Sequence, residues 1–338
     1  MDNNLSPRQI SPRSINTFLE ITYGLFSTQD PVIMSGGTIN AGWEITTPNW
    51  KYILKVFSTP LEDGRSIEEE LELYRHLEKN KVNVPKVFLT KDNHVIGNIN
   101  IQNQSFPVIL MKLEQLRRVS PVDISNNEIV VMAKAVANMH SAFQSYDKQL
   151  LVQKITLPKG VRTNGNALTD LQSPNGANLS KNKKINIMNL EMRMVEYTQL
   201  NPLPLNSKAG LLHGDLSLGH VQFLTDGSVY IYDFSDYTFG PLIWELATLF
   251  VYFFKEGGIT FSRWKKICLQ FLKEYSKNMQ IPSEDIAYLK MMIIDRLLFE
   301  TRTLNRLSRI EDRAVDYIGN INRYKLAKKL LEEDFLLQ

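Results

Sequence analysis

The chain is poor in the residues that would mark several common classes of protein. Cys268 is its only cysteine. No intrachain disulfide can form, and a cysteine-based zinc site is excluded. No run of five or six like charges occurs, and 39 basic residues stand against 36 acidic ones. That balance excludes the basic face expected of a nucleic-acid binder. Long apolar runs are missing as well. The longest, LIWELATLFVYFF from Leu242 to Phe254, contains Glu245 and is too short to span a bilayer, so it reads as a buried helix. The opening stretch MDNNLSPRQISPRS is polar and lacks the apolar segment of a signal peptide. These absences lead to the expectation of a cytoplasmic, soluble protein with neither membrane nor nucleic acid as partner. At 338 residues the chain is too long for one small core and suits two packed lobes.

The first ~115 residues alternate strand-like runs with turns. PVIMSGG, AGWEITTP and WKYILKVF read as three strands, and VPKVFLT and SFPVILMKL as two more. SIEEELELYRHLEKN between them reads as a helix, with Ser66 as N-cap and Glu69 completing a capping box. Ile67, Leu71, Tyr74 and Leu77 form its apolar stripe. The expectation is a five-stranded sheet with one helix inserted after the third strand. The remainder is mainly helical. SNNEIVVMAKAVANMHSAF puts Ile129, Met132, Val136, Met139 and Phe143 on one face, and INIMNLEMRMVEYTQL is a further helix. Helices are also expected over 262–277, 283–309 and 313–334. The Gly-, Asn-, Ser- and Lys-rich stretch 157–184 reads as a long loop of the kind that usually carries function or stays disordered.

Four chemical features follow one another in order. A lysine, Lys55, lies in a strand, and a helix then begins with Glu68, Glu69 and Glu70. Later come HGDLSLGHV from His213 and an apolar strand ending at Asp233. Each alone is weak, since strand lysines are commonly exposed and acidic helix starts commonly serve the helix dipole. Together they match the needs of phosphoryl transfer: a cation on the phosphates, a metal bridge and a carboxylate to orient the acceptor hydroxyl.

The order, and the motifs HGD-x4-H, VYIYDFSD and GPLIWELA, resemble the aminoglycoside phosphotransferase and choline kinase superfamily of small-molecule kinases. The likeness spans roughly residues 20 to 310 and includes AVANMHSAF. It implies an α+β, bilobal, protein-kinase-like fold. Residues 1–113 would form a small antiparallel sheet lobe that binds nucleotide, and 114–338 a larger, mainly helical lobe. By that resemblance Asp215 would be the catalytic aspartate and Asp233 the principal magnesium ligand. Lys55 would contact the phosphates and pair with Glu70, with Glu69 as competitor. Gly36, Gly37, Thr38 and Asn40 would cover the phosphates. The backbone of Met111, Lys112 and Leu113 would lie at the hinge and bind the base, with Phe223 and Ile231 packed beneath it. His140 reads as a buried structural histidine, and Glu245 as a residue that holds the catalytic loop. Asp236 reads equally as a metal-binding or loop-orienting acid and as an ordinary turn residue.

At His220 the family usually has asparagine, as second metal ligand. Magnesium prefers oxygen, and imidazole suits manganese better. His220 would therefore ligate the metal, hold Asp215 from a second layer, or mark lost chemistry. The macrolide phosphotransferase branch carries a Gly-His pair similar to Gly219-His220. The implied activity is a Mg2+-dependent (or Mn2+-dependent) transfer from ATP or GTP to a hydroxyl of a small molecule, an antibiotic such as a macrolide or an amino-alcohol metabolite. The alternatives are a catalytically silent kinase-like binding protein and a protein kinase. The even mix of charges after Ser283 argues against a polycationic aminoglycoside. Arg296, Arg302, Arg306 and Arg309 read as a solvated helix face with pairs to Glu300.

Overall fold

The computed structural model describes residues 6–34, 40–58, 67–146, 181–201, 207–255, 258–310 and 317–333. The chain divides into two compact units, one of Met1–Lys79 with Asn83–Leu116, the other of Asn80–Val82 with Arg117–Gln338.

The first unit begins with a one-turn 3-10 helix, Pro7–Gln9, and helix α1, Pro12–Tyr23. There follow strands β1 (Val32–Ile33), β2 (Ala41–Thr46) and β3 (Lys51–Val56), helix α2 (Ile67–Lys79), and strands β4 (Val87–Phe88), β5 (Gly97–Ile101) and β6 (Gln104–Leu113). The sheet is antiparallel throughout, in the order β1-β2-β3-β6-β4, with β5 also paired to β6. The sequence leads to the expectation of five strands and one helix; among the described residues the unit has six strands and, besides the 3-10 turn, two helices. Helix α1 carries its own stop and start signals: the Ser11 hydroxyl accepts from Ser14 N, Pro12 occupies the first turn, and Gly24 ends the helix in the left-handed region. The extra strand, β5, joins β6 through Gln102 and Asn103, both at positive φ, as a two-residue type I′ hairpin requires.

The pleat assigns the two faces. Tyr52, Leu54 and Val56 of β3 and Phe106, Val108 and Leu110 of β6 share a core with Ile15, Phe18 and Leu19 of α1. Ile109 and Met111, one residue out of phase on β6, pack instead with Ile67 and Leu71 of α2. Lys55 lies one residue out of phase with Leu54 and Val56, so parity turns it toward the α2 face. Since β3 sits between β2 and β6, Lys55 is not on an edge.

The second unit contains helices α3 (Asn126–Gln144) and α4 (Lys181–Leu200), strands β7 (Ala209–Leu212), β8 (Val221–Phe223) and β9 (Val229–Ile231), a 3-10 turn at Phe234–Asp236, and strand β10 (Thr238–Pro241). Helices α5 (Leu242–Lys255), α6 (Phe261–Tyr275), α7 (Ser283–Ala287), α8 (Leu289–Ile310) and α9 (Tyr317–Glu332) complete it. The helix expected over 283–309 is thus two, α7 and α8, separated at Tyr288. Two small antiparallel ribbons, β7 with β10 and β8 with β9, frame the segment between them. Helix α5 is the central element. All its residues except Tyr252 and Lys255 are buried, and it packs on α6, α8, α9 and β7. Among the described residues, no helix is long and apolar enough to cross a membrane. The stretch 157–180, the Ser66 cap and the side chains of Arg302, Arg306 and Arg309 lie outside the described residues.

Leu19 of α1 is fully buried against the sheet. Leu19→Ala should cost the sheet unit ~2–5 kcal/mol, as for other buried leucines. Urea unfolding followed by far-UV circular dichroism measures this. A change below ~0.5 kcal/mol would mean that α1 contributes nothing to the unit's core.

Candidate active site

In the sheet unit, the Lys55 ammonium lies 2.8 Å from Glu70 Oε1. Of the neighbouring glutamates, Glu70 is the buried one, three residues after Ile67 and four before Tyr74 on the inward stripe of α2. Lys55 also stands 5.1 Å over the Phe57 ring. Removing either partner of so buried a lysine–glutamate pair would leave the other charge uncompensated. Asn40 precedes β2, and its Oδ1 accepts from Ser58 N at 3.2 Å, tying the start of β2 to the chain leaving β3. Gly36, Gly37 and Thr38 lie outside the described residues. Met111, Lys112 and Leu113 are the last residues of β6, paired with Ile53, Tyr52 and Lys51. The Lys112 amide donates to Lys86 O at 3.1 Å. That amide is therefore committed to the sheet.

In the helical unit, residues 213–220 connect β7 to β8. Gly214 has φ 87°, and a Cβ there would stand 1.7 Å from Asp236 O, so no other residue fits. The neighbouring groups are fixed by the carboxylate of Glu245, in the first turn of α5. It accepts from His213 N at 2.7 Å, from Gly214 N at 2.8 Å and from His140 Nε2 at 3.0 Å. His140, fully buried on α3, has the Tyr275 hydroxyl 2.6 Å from its Nδ1. Burial would raise the Glu245 carboxyl, but the His140 bond and charge, His213 and the backbone donor outweigh it and hold the group below its ordinary range. Burial keeps His213 neutral, below the usual histidine range. Its Nε2 donates to Tyr232 O at 2.9 Å and its Nδ1 accepts from Asp215 N at 3.4 Å.

This scaffold brings Asp215, His220 and Asp233 together. The His220 ring stacks on His213 with centroids 5.7 Å apart. Its Nδ1 lies 2.9 Å from the Asp215 carbonyl oxygen, which can only accept, so Nδ1 carries the hydrogen. In the neutral ring, the Nε2 lone pair then points toward Asp233, whose Oδ2 is 3.7 Å away. Asp215 Oδ2 is 3.7 Å from Nδ1. Asp233 itself has φ 66° and accepts from the Ser235 hydroxyl at 2.9 Å. All three side chains keep partial exposure.

Among the described residues, no three His, Cys, Asp or Glu side chains converge as an all-protein metal cage. Two ligand atoms on one side, Asp233 Oδ2 and His220 Nε2, suit a cation that takes its remaining ligands from water and phosphate. Phe223 and Ile231 are buried in the β8/β9 ribbon, and the Arg117 guanidinium lies 5.0 Å from the Phe223 ring centroid.

Two neighbours of Asp215 went unread in the sequence. The Tyr252 hydroxyl donates to Asp215 Oδ1 at 3.4 Å, and Arg296 reaches the same oxygen at 3.3 Å. Arg296 is buried, which corrects the expectation of a solvated face. The signal was available: Arg296 and Glu300 continue the spacing of Met292, Ile293 and Leu297, all buried, so two charges occupy the apolar stripe.

A lysine–glutamate pair on a small antiparallel sheet, with an HGD loop and a strand-end aspartate in a helical unit, defines the protein-kinase-like class of phosphotransferases. The model of the phosphotransferase enzyme family matches residues 32–263, more than half of the chain, and the chain belongs to that family. Among solved structures, it is similar to amicoumacin kinase hAmiN in complex with AMP-PNP, Ca2+ and Ami, at 16% identity and a TM-score of 0.70, covering 95% of this chain and 93% of that one. The spectinomycin phosphotransferase APH(9)-Ia, in complex with ADP and spectinomycin, matches at 15% identity and TM-score 0.66, over 95% and 96% of the two chains. Choline kinase LicA from Streptococcus pneumoniae matches at 18% and 0.54, over 89% and 94%. No curated protein matches the chain.

The Glu245 site sets an acid limit on stability. Its folded value is depressed, so its contribution is complete above the ordinary value of 4.5 and is lost as pH falls through the depressed one. His213, also depressed, acts in the same direction below its ordinary 6.5, because the unfolded chain takes up the proton first. Glu245→Gln should cost ~3 kcal/mol at neutral pH, since an amide cannot accept from three converging donors. It should also flatten the pH dependence of unfolding below 4.5. Melting curves from pH 3 to 7 test both, and an unchanged slope in the variant would refute the assignment.

Proposed function

We propose that the protein transfers the γ-phosphate of ATP or GTP to a hydroxyl of a small molecule. The observation that carries this reading is the placing of two carboxylates, Asp215 and Asp233, on either side of one imidazole. Asp215 orients the acceptor hydroxyl and takes its proton. The acceptor oxygen bonds to the γ-phosphorus, the bond to the β–γ bridging oxygen breaks, and the diphosphate departs. Lys55, steadied by Glu70, neutralises the α- and β-phosphates. Asp233 and His220 hold a divalent cation, Mg2+ or Mn2+, which when bound neutralises charge on the phosphates. Asn40 lies at the base of the hairpin expected to cover the phosphates. Met111, Lys112 and Leu113 lead to the backbone that meets the base, and Phe223 and Ile231 form apolar support for it.

The amicoumacin and spectinomycin enzymes and the choline kinase support a small-molecule acceptor, since their names describe phosphorylation of such compounds. Between Asp233 and α5 there is only a 3-10 turn and the four-residue β10. That leaves little chain for the platform on which a protein substrate would lie, and it favours a small acceptor. The buried Lys55–Glu70 pair supports retained chemistry over a silent scaffold, because a chain with no phosphate to hold gains little from burying two charges.

Asp215→Asn should lower turnover by about 10²–10⁴-fold while nucleotide still binds. Asp233→Asn should instead remove the metal-dependent part of nucleotide binding. Calorimetric titration of ATP and GTP, with and without Mg2+, separates these roles. Binding to neither nucleotide would favour the silent scaffold. His220→Asn should replace nitrogen by an amide oxygen and lower the ratio of Mn2+-supported to Mg2+-supported activity. An unchanged ratio would remove His220 from the metal.

A further inference from the structure

Asp215 is approached from behind by a chain of alternating charges. Arg296 of α8 donates from Nε to Glu300 Oε1 at 3.0 Å and from Nη2 to Asp215 Oδ1 at 3.3 Å. The other oxygen of Glu300 accepts from Arg323 Nε of α9 at 2.8 Å. Arg296, Glu300 and Arg323 are all buried. The Arg296 guanidinium carbon lies 5.2 Å from the Trp244 ring centroid and 5.3 Å from that of Phe299, which leaves the fork few ways to turn. Tyr252 of α5 adds its hydroxyl hydrogen to the same Oδ1.

Burying three charges costs more than packing apolar side chains of the same volume. The series Arg323, Glu300, Arg296, Asp215 alternates in sign and ends on a carboxylate that water still reaches. Burial would raise Glu300, but Arg296 and Arg323 outweigh it and hold that carboxyl below its ordinary range. Burial also raises the Tyr252 hydroxyl, with Asp215 and Glu300 adding to it, so Tyr252 keeps its proton and remains a donor.

We propose that Arg296 is a positioning residue, which together with Tyr252 fixes Oδ1 of Asp215 so that Oδ2 is the oxygen presented to the acceptor hydroxyl. This rests on the phosphotransfer reading of Asp215. The role needs arginine. Its planar fork serves Glu300 with one edge nitrogen and Asp215 with another, whereas a lysine ammonium is a single point charge on a flexible stem. Displacing a reacting group by ~1 Å can cost ~10²-fold in rate.

The test uses the full chain with Mg2+, ATP or GTP, and an acceptor found by release of the nucleoside diphosphate. Arg296→Lys should stay folded and bind nucleotide within about two-fold of wild type, yet lose about 10²-fold in kcat with KM for nucleotide unchanged. Arg296→Ala should recover part of its kcat when methylguanidine is added, a response that a purely structural role would not give. Tyr252→Phe removes the second donor without leaving a charge unpaired. If the Arg296 variants do not fold, this variant decides the matter: a fall of about ten-fold in kcat is expected, and an unchanged kcat overturns the proposal. Full turnover in folded Arg296→Lys, with turnover lost in Asp215→Asn, would overturn the positioning role alone. Equal nucleotide turnover in wild type, Asp215→Asn and Arg296→Lys would overturn the phosphotransfer reading with it.

Discussion

One carboxylate, that of Glu245, governs the geometry of the helical unit. It stands in the first turn of an otherwise apolar helix, where the dipole favours a negative charge. From there it gathers two successive backbone amides of the HGD loop and an imidazole from α3. Three elements far apart in sequence are thereby tied to one group. The turn that Gly214 makes against Asp236, the neutral His213 beneath it and the ring of His220 stacked on His213 all depend on that attachment. Asp215 and Asp233 are carried on a frame held by these contacts, on either side of His220.

The sheet unit reaches comparable definition by simpler means. The alternation of side chains along β3 decides that Lys55 faces α2, and the helical repeat decides that Glu70 rather than Glu69 meets it. Both periodicities can be counted in the sequence, but there the pairing rests on the family resemblance, with Glu69 as competitor, and burial distinguishes the two glutamates only in the fold. The HGD motif was legible through its order with Lys55, the acidic helix start and Asp233 and through the family resemblance; the close contact of Gly214 with Asp236 appears only in the fold. In the sheet unit helix α1 and strand β5 were not read from the sequence, nor were β7, β8 and β10 in the helical unit. Helix α1 was legible in Ser11, Pro12 and Gly24 and in the stripe of Ile15, Phe18 and Leu19, but it follows directly on a polar opening stretch. Strand β5 was hidden by a Gln-Asn turn in place of the usual Asn-Gly.

Arg296 shows where reading of this kind runs out. Its spacing within α8 marks it as inward-facing, yet its partners are Asp215 and Glu300, which are met in turn by Tyr252 and Arg323. Only Glu300 is local. The others meet through packing, and no period in the sequence encodes that an arginine of α8 and a tyrosine of α5 converge on one aspartate. The same limit applies to His220. Its departure from asparagine is visible at once, but the tautomer that directs Nε2 toward Asp233 follows from a bond to the Asp215 carbonyl.

The burial of α5 bears on how such a chain comes into being. Its apolar surface is covered on several sides, and three of the covering helices, α6, α8 and α9, follow it in the chain. During synthesis α5 emerges before them, so an apolar helix waits, incompletely clothed, for its neighbours. That interval leaves apolar surface uncovered, the condition under which nascent chains are prone to aggregate. The helix that best organises the finished unit is therefore also its greatest hazard while the unit is being made.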